Sequence, residues 1–557
     1  MKKLLALILT LATLLVLVAC GEAPITPTEA EATAEPDECA LYGHEYQKHV
    51  VDPTYLEQGY TEYVCIICGK TYRDSYTPAL DYISGVETLD KYVTYSEMQA
   101  DVDAKRDKQY SDSNAKEVDI SEFLPEYSGD PLLTPDEIKM LTTESDTVTT
   151  VTYDEAVYDI DVCFRMLKYE YGAYYYFGGD ELFDAAKENC LTAIAGKETI
   201  TNGGLADIIA DNLSFIRDGH LVVNKKRNTD NAKVKYEYFY CKGQNYALDD
   251  GGYYKIIDGE KWYYVGCDND AVSMQYAIDD EGRIVYSPVR FCPKYDENGV
   301  RLPDADDILL KKGDITKKQT VKWIENEAYK SHSIDFKYYK ENGIAYISLR
   351  SFWFDYEETV NEFIDTAMDV KDTNVIILDI RSNSGGNLTW SYEWNNKFAG
   401  DHSNYRAFGE IKTTPQGKRN IDIKYDEIKR IANDIPIILL TDDVCMSAGE
   451  FFWYNVTSLE NVTVIGSNTY GGMVCVYIVD RYLPNSKIFV SFGNALSYYR
   501  DDENHDAIGY EPDIWCNSKD ALDVALRFIE TNELADEEDV AAMYKHFPTL
   551  NSSGSSN

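Results

Sequence analysis

The pattern of hydrophobic and polar positions divides the chain into segments with different periods. Between residues 153 and 216, apolar side chains recur at three- and four-residue steps, which predicts helices. Residues 222–300 carry aromatic-rich runs separated by turn dipeptides such as Asp258-Gly259, which predicts β-strands and a tight hairpin. The chain is therefore expected to pass from a helical region to a β-rich region.

A third pattern begins after residue 342, where strand and helix signals alternate. Residues 344–349, 375–380 and 437–440 are short apolar runs, and residues 359–370 have the spacing of an amphipathic helix. Strands that alternate with helices in this way pair in parallel. The predicted fold class is therefore α/β, with a parallel-rich sheet and flanking helices in this part of the chain.

The amino terminus has the features of an export signal. Two lysines precede an apolar run over 4–18, and the run ends in Ala19-Cys20-Gly21. The run is too short to favour a permanent membrane span. A small residue before a cysteine resembles the bacterial lipobox, which implies that Cys20 is acylated, although an ordinary signal peptide that happens to contain a cysteine would look similar. We therefore predict an extracytoplasmic protein, lipid-anchored through Cys20 to the outer face of the bacterial cell membrane.

The overall charge restricts the class of partner. The formal net charge is −43 over 557 residues, so the mean field repels nucleic acids and anionic lipid surfaces. With 44% hydrophobic residues, the chain is apolar enough to build large cores. Nucleic acid is therefore not expected as a partner, and the membrane is expected only through the lipid anchor.

A cysteine–histidine segment near the anchor offers metal ligands. Cys39, His44, Cys65 and Cys68 supply three thiolates and an imidazole, which is a complete tetrahedral set for zinc. Cys65 and Cys68 have Cys-x-x-Cys spacing followed by glycine, which is typical of a zinc knuckle. The alternatives are a disulfide between two of these cysteines, or His49 as the ligand instead of His44. Such a zinc site would be structural, because four protein ligands leave no position for water.

Two turns of the α/β region carry groups suited to acyl transfer. Gly385-Gly386 follow the strand at 375–380, and glycines at this end of a strand present bare backbone N–H groups to an oxyanion, although a plain tight turn has the same sequence. Ser447 follows the next buried strand and begins a helix, whose dipole favours a developing anion. A capping box with Glu450 explains the same serine without any chemistry.

These turns belong to a set of motifs with a familiar order. The set is similar to that of the tail-specific (C-terminal-processing) serine peptidases and comprises LDIRSNSGG at 378–386, SAGE at 447–450, VIGSNTYGG at 464–472 and GYEPDI at 509–514. The resemblance implies that Ser447 is the nucleophile. It also implies that the backbone N–H groups of Gly386 and Ala448 form the oxyanion hole.

The chain departs from this family at the position of the general base. Many members use a lysine in a Ser–Lys dyad, but here the segment after the Gly471-Gly472 turn contains no lysine before Lys487. A serine hydroxyl needs a base within hydrogen-bonding reach. His220, in an Asp-Gly-His segment, resembles the histidine of the tricorn-core branch of the family, which implies that His220 is the base, although a surface turn could also contain such a histidine.

An acidic residue is expected to complete the site in that branch. The candidates are Asp506, Glu503 and Glu511, and their spacing from Gly509 slightly favours the first two. Glu450 is a further acidic residue that could order the helix after Ser447.

The expected function is that of an extracytoplasmic serine endopeptidase. It would hydrolyse peptide bonds of polypeptide substrates without any cofactor for catalysis, and positions close to their carboxyl termini are the expected cleavage sites. One alternative is a catalytically inactive protein of the same fold that binds peptides at the cell surface. Another is a lipoprotein scaffold in which the zinc segment is responsible for recognition.

The predicted organisation follows from these patterns. The expected segments are a lipoprotein signal peptide (1–19), a flexible linker (20–36), a zinc-ribbon-like Cys/His module (37–80), an unassigned linker region (81–145), a helical domain (146–221), a β-rich module (222–340), a serine peptidase core (341–525), and a C-terminal helix with a disordered tail (526–557).

Overall fold

The structure is a computed structural model. The residues it describes are 43–52, 59–77, 81–116, 119–123, 133–144, 148–230, 233–331, 336–400, 407–423, 427–499, 501 and 503–550. The predicted signal peptide and the predicted linker at 20–36 lie outside these residues, as do Cys20, Cys39 and the tail from residue 551. Within the described ranges, no helix combines the length and apolar character that crossing a bilayer requires.

The chain divides into two compact units, Met1–Asp81 and Tyr82–Asn557. The first contains an antiparallel sheet in the order β1 (Tyr46–Val51), β2 (Gly59–Cys65) and β3 (Thr71–Thr77). These strands are short, and β3 is exposed along its whole length.

The second unit contains the helices and the remaining strands. The helices are α1 (Tyr95–Ala115), α2 (Pro135–Leu141), α3 (Tyr153–Glu170), α4 (Gly179–Ile194), α5 (Asn202–Asn212), α6 (Glu357–Asp369), α7 (Trp390–Ala399), α8 (Ala448–Thr457), α9 (Ala521–Thr531) and α10 (Glu537–Tyr544). The strands that follow β3 along the chain are β4 (Asp81–Tyr82), β5 (Glu87–Thr88), β6 (Thr150–Thr152), β7 (Thr199–Thr201), β8 (Val222–Val223), β9 (Lys226–Arg227), β10 (Tyr236–Tyr240), β11 (Ala247–Asp249), β12 (Gly252–Ile257), β13 (Glu260–Cys267), β14 (Val272–Ile278), β15 (Ile284–Pro293), β16 (Ala305–Lys312), β17 (Ile315–Lys322), β18 (Ile324–Glu325), β19 (Lys337–Glu341), β20 (Ile344–Ser348), β21 (Val375–Asp379), β22 (Ala407–Thr413), β23 (Arg419–Ile423), β24 (Ile437–Thr441), β25 (Val462–Gly466), β26 (Cys475–Tyr482), β27 (Phe489–Tyr499) and β28 (Ile514–Trp515).

A mixed sheet forms the centre of the second unit. Its strand order is β18–β10–β15–β14–β28–β25–β24–β21–β20–β19, and the pairs from β14 to β20 are parallel. Every residue of β20, β21, β24 and β25 is buried, because these apolar strands are covered on both faces. Helices α6, α7 and α8 pack on one face, and α1, α9 and α10 pack on the other. The predicted α/β fold class is confirmed.

Parallel pairing brings three strand ends to one edge of this sheet. Asp379 at the end of β21 is paired with Leu440 in β24, and Thr441 is paired with Gly466 in β25. The turns that follow β21, β24 and β25 therefore emerge side by side, which is where sites form in open α/β sheets.

The predicted helical region forms α3, α4 and α5. These helices share a hydrophobic core with β26 and β27. The short strand β8, which follows α5, pairs with β27 through Val223 and Val490. The loop between α5 and β8 is therefore held against the segment that precedes β26.

The strands predicted at 222–340 are present, but they are divided among three sheets. Strands β8 and β9 join β27, whereas β10, β14, β15 and β18 extend the central sheet. The others form an antiparallel sheet in the order β11–β12–β13–β16–β17. The hairpin at Asp258-Gly259 is confirmed, since both residues have the positive φ angles (51° and 82°) that a two-residue turn of type I′ requires.

Candidate active site

Ser447 lies in a strained turn between β24 and α8. Its φ and ψ angles are 57° and −120°, a region that residues with a Cβ rarely adopt. The turn is held by the Met446 N–H, which donates to the Asn383 carbonyl oxygen at 2.9 Å. The Ser447 side chain is half-buried, so the hydroxyl lies at the positive end of α8 without being sealed from solvent.

The Gly385-Gly386 turn after β21 lies directly against this serine. Gly385 has a φ angle of 94°, and a Cβ built on it would lie 2.8 Å from the Ser447 Cβ and 2.9 Å from the Ala448 nitrogen. Gly386 has a φ angle of 139°, and a Cβ there would collide with the backbone of Phe352. Both glycines are therefore required for the close approach of the two turns.

Two backbone donors at this junction are open. The Gly385 N–H is already used, since it donates to Asn383 Oδ1 at 3.0 Å. Within the part of the chain that the structure describes, the N–H groups of Gly386 and Ala448 have no hydrogen-bond acceptor. Unused donors beside a serine are what a tetrahedral oxyanion requires. The geometry thus fits the roles predicted for Gly386 and Ala448.

Glu450 connects the serine turn to the loop after β25. Its buried carboxylate accepts the Ser447 N–H at 3.1 Å and the Thr469 hydroxyl at 2.5 Å. It also accepts the N–H groups of Gly471 and Gly472, both at 2.9 Å. Burial raises the pKa of Glu450 to about 7, against the hydrogen bond from Thr469. This side chain is therefore more than a helix cap, because it fixes two turns of the site to each other.

His220 comes from the loop between α5 and β8. The preceding residue, Gly219, packs so closely that a Cβ would lie 2.7 Å from the Gly471 carbonyl oxygen and 3.3 Å from Met446 Cε. Met446 is the residue before Ser447 in the chain. The structure thus brings the Asp-Gly-His segment to the loop after β25 and to the serine turn.

Asp506 anchors the same segment. It is fully buried and accepts the Gly219 N–H at 2.7 Å, the Met473 N–H at 2.8 Å and the Val474 N–H at 3.0 Å. Burial and the charge of the nearby Asp218 carboxylate together raise the pKa of Asp506 to about 6. Asp506 therefore joins the backbone that carries His220 to the backbone after Gly472.

Burial and two neighbouring charges control the ionisation of His220. The ring is half-buried, and its enclosed Nδ1 atom has no hydrogen-bond partner among the described residues. Burial lowers the pKa of His220 to about 4; the carboxylate of Asp506 acts to raise this pKa, and the guanidinium of Arg227 lowers it. Arg227 also reaches the serine turn, where its Nη1 lies 3.4 Å from Met446 Sδ. His220 is therefore neutral at neutral pH, which is the form that can accept a proton.

The other acidic candidates lie elsewhere. Glu503 is 70% exposed and faces His505 rather than the serine turn. The Glu511 side chain is also exposed. Of the three candidates, Asp506 is the one that is buried next to the His220 loop. Its carboxylate accepts hydrogen bonds from three backbone N–H groups.

Sequence reasoning missed several supporting residues. Asn383 fixes both glycine and serine turns through its carbonyl and its side-chain oxygen. The Asp218 carboxylate accepts the backbone N–H of His220 at 2.7 Å and the Tyr171 hydroxyl at 2.8 Å. An asparagine between a strand and a Gly-Gly turn is a usable signal, since short polar side chains often bond to nearby backbone. Arg227 gives no such signal, because only the fold brings it to Met446.

The first unit contains a group of potential metal ligands. Among the described residues, His44, Cys65 and Cys68 form a cluster in the first unit, with all ligand atoms within 4.8 Å of one another. The fourth predicted ligand, Cys39, is outside the described residues.

Comparisons with known proteins give one family model and several solved structures. No curated protein matches the chain. Similar solved structures include mature CPAF in complex with lactacystin, at 11% identity over 72% of this chain and 99% of that chain with a TM-score of 0.34. The photosystem II D1 C-terminal processing protease is 13% identical over 66% of this chain and 94% of that chain, with a TM-score of 0.32. A lipoprotein from Streptococcus agalactiae is 11% identical over 70% and 99% of the two chains, with a TM-score of 0.32.

The family model Peptidase family S41 matches residues 343–516. This range includes β20, β21, β24 and β25, the turns that hold Gly386 and Ser447, and the buried Asp506, whereas His220 lies before it. The part of the chain that carries the serine turn is therefore similar to peptidase family S41.

Proposed function

We propose that the chain is an extracytoplasmic serine endopeptidase that hydrolyses polypeptide substrates close to their carboxyl termini. The observation that carries the proposal is the strained Ser447 turn beside two open backbone donors, Gly386 and Ala448. A serine held in this way at the start of a helix combines a nucleophile with an oxyanion site.

In the proposed reaction each of these groups has one role. The Ser447 hydroxyl attacks the carbonyl carbon of the scissile peptide bond, and His220 accepts the hydroxyl proton. The N–H groups of Gly386 and Ala448 donate to the oxyanion of the tetrahedral intermediate. His220 then gives the proton to the leaving amine, and a water molecule that His220 activates releases the acyl group from Ser447.

The assignment of His220 as the base is supported by three features. No lysine occurs between Gly472 and Lys487, where a Ser–Lys dyad would need one. Gly219, the neighbour of His220, contacts the loop after β25 and the Met446 side chain. Asp506 holds the Gly219 backbone and places a negative charge near the imidazole, which stabilises the imidazolium formed during the reaction.

The proposed location rests on the amino-terminal sequence. A basic pair, the apolar run over 4–18 and Ala19-Cys20 have the order of a bacterial lipoprotein signal. We propose that acylated Cys20 tethers the enzyme to the outer face of the cell membrane, so that its substrates are extracytoplasmic polypeptides.

A fluorophosphonate probe tests the nucleophile. We expect the probe to label the wild-type protein and the Ser214→Ala variant, whose replaced side chain is exposed, but not the Ser447→Ala variant. Equal labelling of Ser447→Ala would remove Ser447 from the mechanism. A folded wild-type protein that is neither labelled nor active on peptides would instead support a non-catalytic peptide-binding protein.

A mixed peptide library tests the substrate class. Mass spectrometry of the digest should show cuts concentrated near peptide carboxyl termini, and amidation of those termini should reduce cleavage. Cuts spread evenly along the peptides would contradict the carboxyl-terminal preference while leaving the endopeptidase proposal intact.

A further inference from the structure

The first unit contains a cluster of potential metal ligands that the proposed peptidase chemistry does not use. Cys65 ends β2, Cys68 lies in the turn to β3, and His44 lies just before β1. The ligand atoms of these three residues all lie within 4.8 Å of one another. Cys68 Sγ and His44 Nδ1 are 3.4 Å apart.

These separations suit a tetrahedral metal ion. With a Zn–S distance of about 2.3 Å and a Zn–N distance of about 2.0 Å, a tetrahedral angle places the sulfur and nitrogen roughly 3.5 Å apart. The distance observed between Cys68 Sγ and His44 Nδ1 is close to this value. A metal ion could therefore enter the cluster with little change in the ligand positions.

The backbone around Cys65 has the form of a metal-binding knuckle. The Cys65 N–H donates to the Lys70 carbonyl oxygen at 2.9 Å, and the Gly69 N–H donates to the Cys65 carbonyl oxygen at 2.8 Å. Gly69 has a φ angle of 72°, which explains the glycine after Cys68. These bonds and the positive φ angle of Gly69 give the turn the backbone geometry of a metal-binding knuckle.

The described residues of the first unit form no hydrophobic core. Among the described residues from 43 to 77, Cys65 is the one buried hydrophobic side chain. None of these residues belongs to a hydrophobic core cluster. A sheet of three short strands with no core needs a cross-link, usually a disulfide or a metal ion.

The structure distinguishes between the two candidate histidines. His49 lies within β1, opposite Glu62 of β2, and is absent from the cluster. His44 precedes β1. The backbone carbonyl oxygen of the neighbouring Glu45 accepts the Ile66 N–H at 2.9 Å, and this bond joins the start of β1 to the knuckle. The imidazole that faces the two sulfur atoms is therefore that of His44.

We propose that His44, Cys65 and Cys68 bind one Zn²⁺ ion, which fastens the start of β1 to the turn between β2 and β3. Two thiolates and an imidazole are soft and borderline ligands that favour zinc over magnesium or calcium. Binding supplies stability that the strands themselves do not, so the sheet folds around the ion. This site is independent of the proposed catalytic serine.

Metal analysis of the purified full chain tests the site. After zinc loading under reducing conditions and removal of excess metal, we expect about one zinc ion per chain in the wild type. The Cys68→Ser variant should lose it, whereas Cys267→Ser, which changes a half-buried cysteine on β13, should retain it. Equal zinc content in Cys68→Ser, or a zinc-free wild type with a Cys65–Cys68 disulfide, would overturn the proposal.

Two further readouts do not depend on the variants folding. Cobalt(II) loaded into the wild-type chain should give a thiolate-to-metal charge-transfer band and intense tetrahedral d–d bands; weak octahedral bands alone would rule out the site.

Chelation should also increase hydrogen exchange at residues 59–65 and 71–77 but not in β24. Unchanged exchange in those two strands would show that the ion does not support the sheet.

Discussion

The two sides of the candidate active site are built in different ways. On the nucleophile side, Gly386 and Ser447 follow the neighbouring parallel strands β21 and β24, and backbone contacts set their spacing. On the base side, His220 comes from a loop outside the matched peptidase range, and the neighbouring Gly219 N–H donates a hydrogen bond to Asp506. The first side is fixed by strand register, and the second is fixed by a few side chains.

This difference affects how each side tolerates change. Strand register involves many buried residues, so the position of Ser447 does not depend on one polar contact. The base side depends on one buried carboxylate and on charges near the imidazole, so single substitutions there should alter catalysis while the fold survives. Four predictions test this contrast, from the largest expected effect to the smallest.

Removal of His220 should produce the largest loss. His220→Ala should lower kcat by about 10²- to 10⁴-fold, because general base catalysis by a positioned histidine contributes that much. Peptide hydrolysis measures the effect. His546→Ala is the matched control, since that ring pairs with Glu341 at the end of β19. Equal activity of the two variants would exclude His220 as the base.

A methyl group at Gly385 should break the nucleophile side. The added Cβ would press on the Ser447 Cβ and the Ala448 nitrogen, which displaces an oxyanion donor. Gly385→Ala should therefore slow fluorophosphonate labelling by about 10²- to 10³-fold, as expected for loss of one donor. Gly203→Ala is the control, because a Cβ at that helical position has open space. Normal labelling of Gly385→Ala would mean that the turns are looser than the structure shows.

Neutralisation of Asp506 should have a smaller effect and shift the pH profile. Asp506→Asn weakens the hydrogen bond from the Gly219 N–H, and a loss of about 1–3 kcal/mol corresponds to roughly fivefold to 150-fold in kcat. The Asp506 charge favours the imidazolium, and Asp506 has a pKa of about 6, so the wild-type kcat/KM should fall as the pH drops through about 6. Asp506→Asn should remove this limb and leave only the limb at lower pH that belongs to His220. A lower rate with an unshifted limb would indicate a purely structural role.

Removal of the Arg227 charge should have the smallest effect, with the opposite sign. The guanidinium lowers the pKa of His220, so Arg227→Leu should move the acid limb to higher pH. In the wild type, His220 with a pKa of about 4 stays neutral at pH 5 and becomes protonated as the pH falls through 4. Circular dichroism at each pH separates this effect from unfolding. A shift in the same direction for Asp506→Asn and Arg227→Leu would contradict the assigned charges.

The sequence predicted the nucleophile side more completely than the base side. Buried strands at 375–380 and 437–440 were readable because apolar, β-branched runs are typical of parallel sheets. The roles predicted for Gly386, Ser447 and Ala448 fit the geometry for the same reason, since motifs at strand ends are local. The assignments themselves stay predictions until the variants are measured.

The remaining features depend on contacts between distant segments. Spacing did not separate Asp506 from Glu503, because only the fold shows which of them three backbone donors enclose. The strands at 222–340 were expected as one module, but strand pairing partners are not encoded locally, and they entered three sheets. His44 was the predicted zinc ligand and His49 the alternative, and spacing alone does not show that His49 lies opposite Glu62 in the register of β1.

The backbone angle of Ser447 bears on whether the chain is an enzyme at all. A non-glycine residue at a φ angle of 57° and a ψ angle of −120° destabilises the fold by about 1–3 kcal/mol, and glycine would relieve most of that strain. Selection for stability alone favours glycine at this position. The serine at this position therefore lowers the stability of the fold, and the proposed role of Ser447 as the nucleophile accounts for that cost.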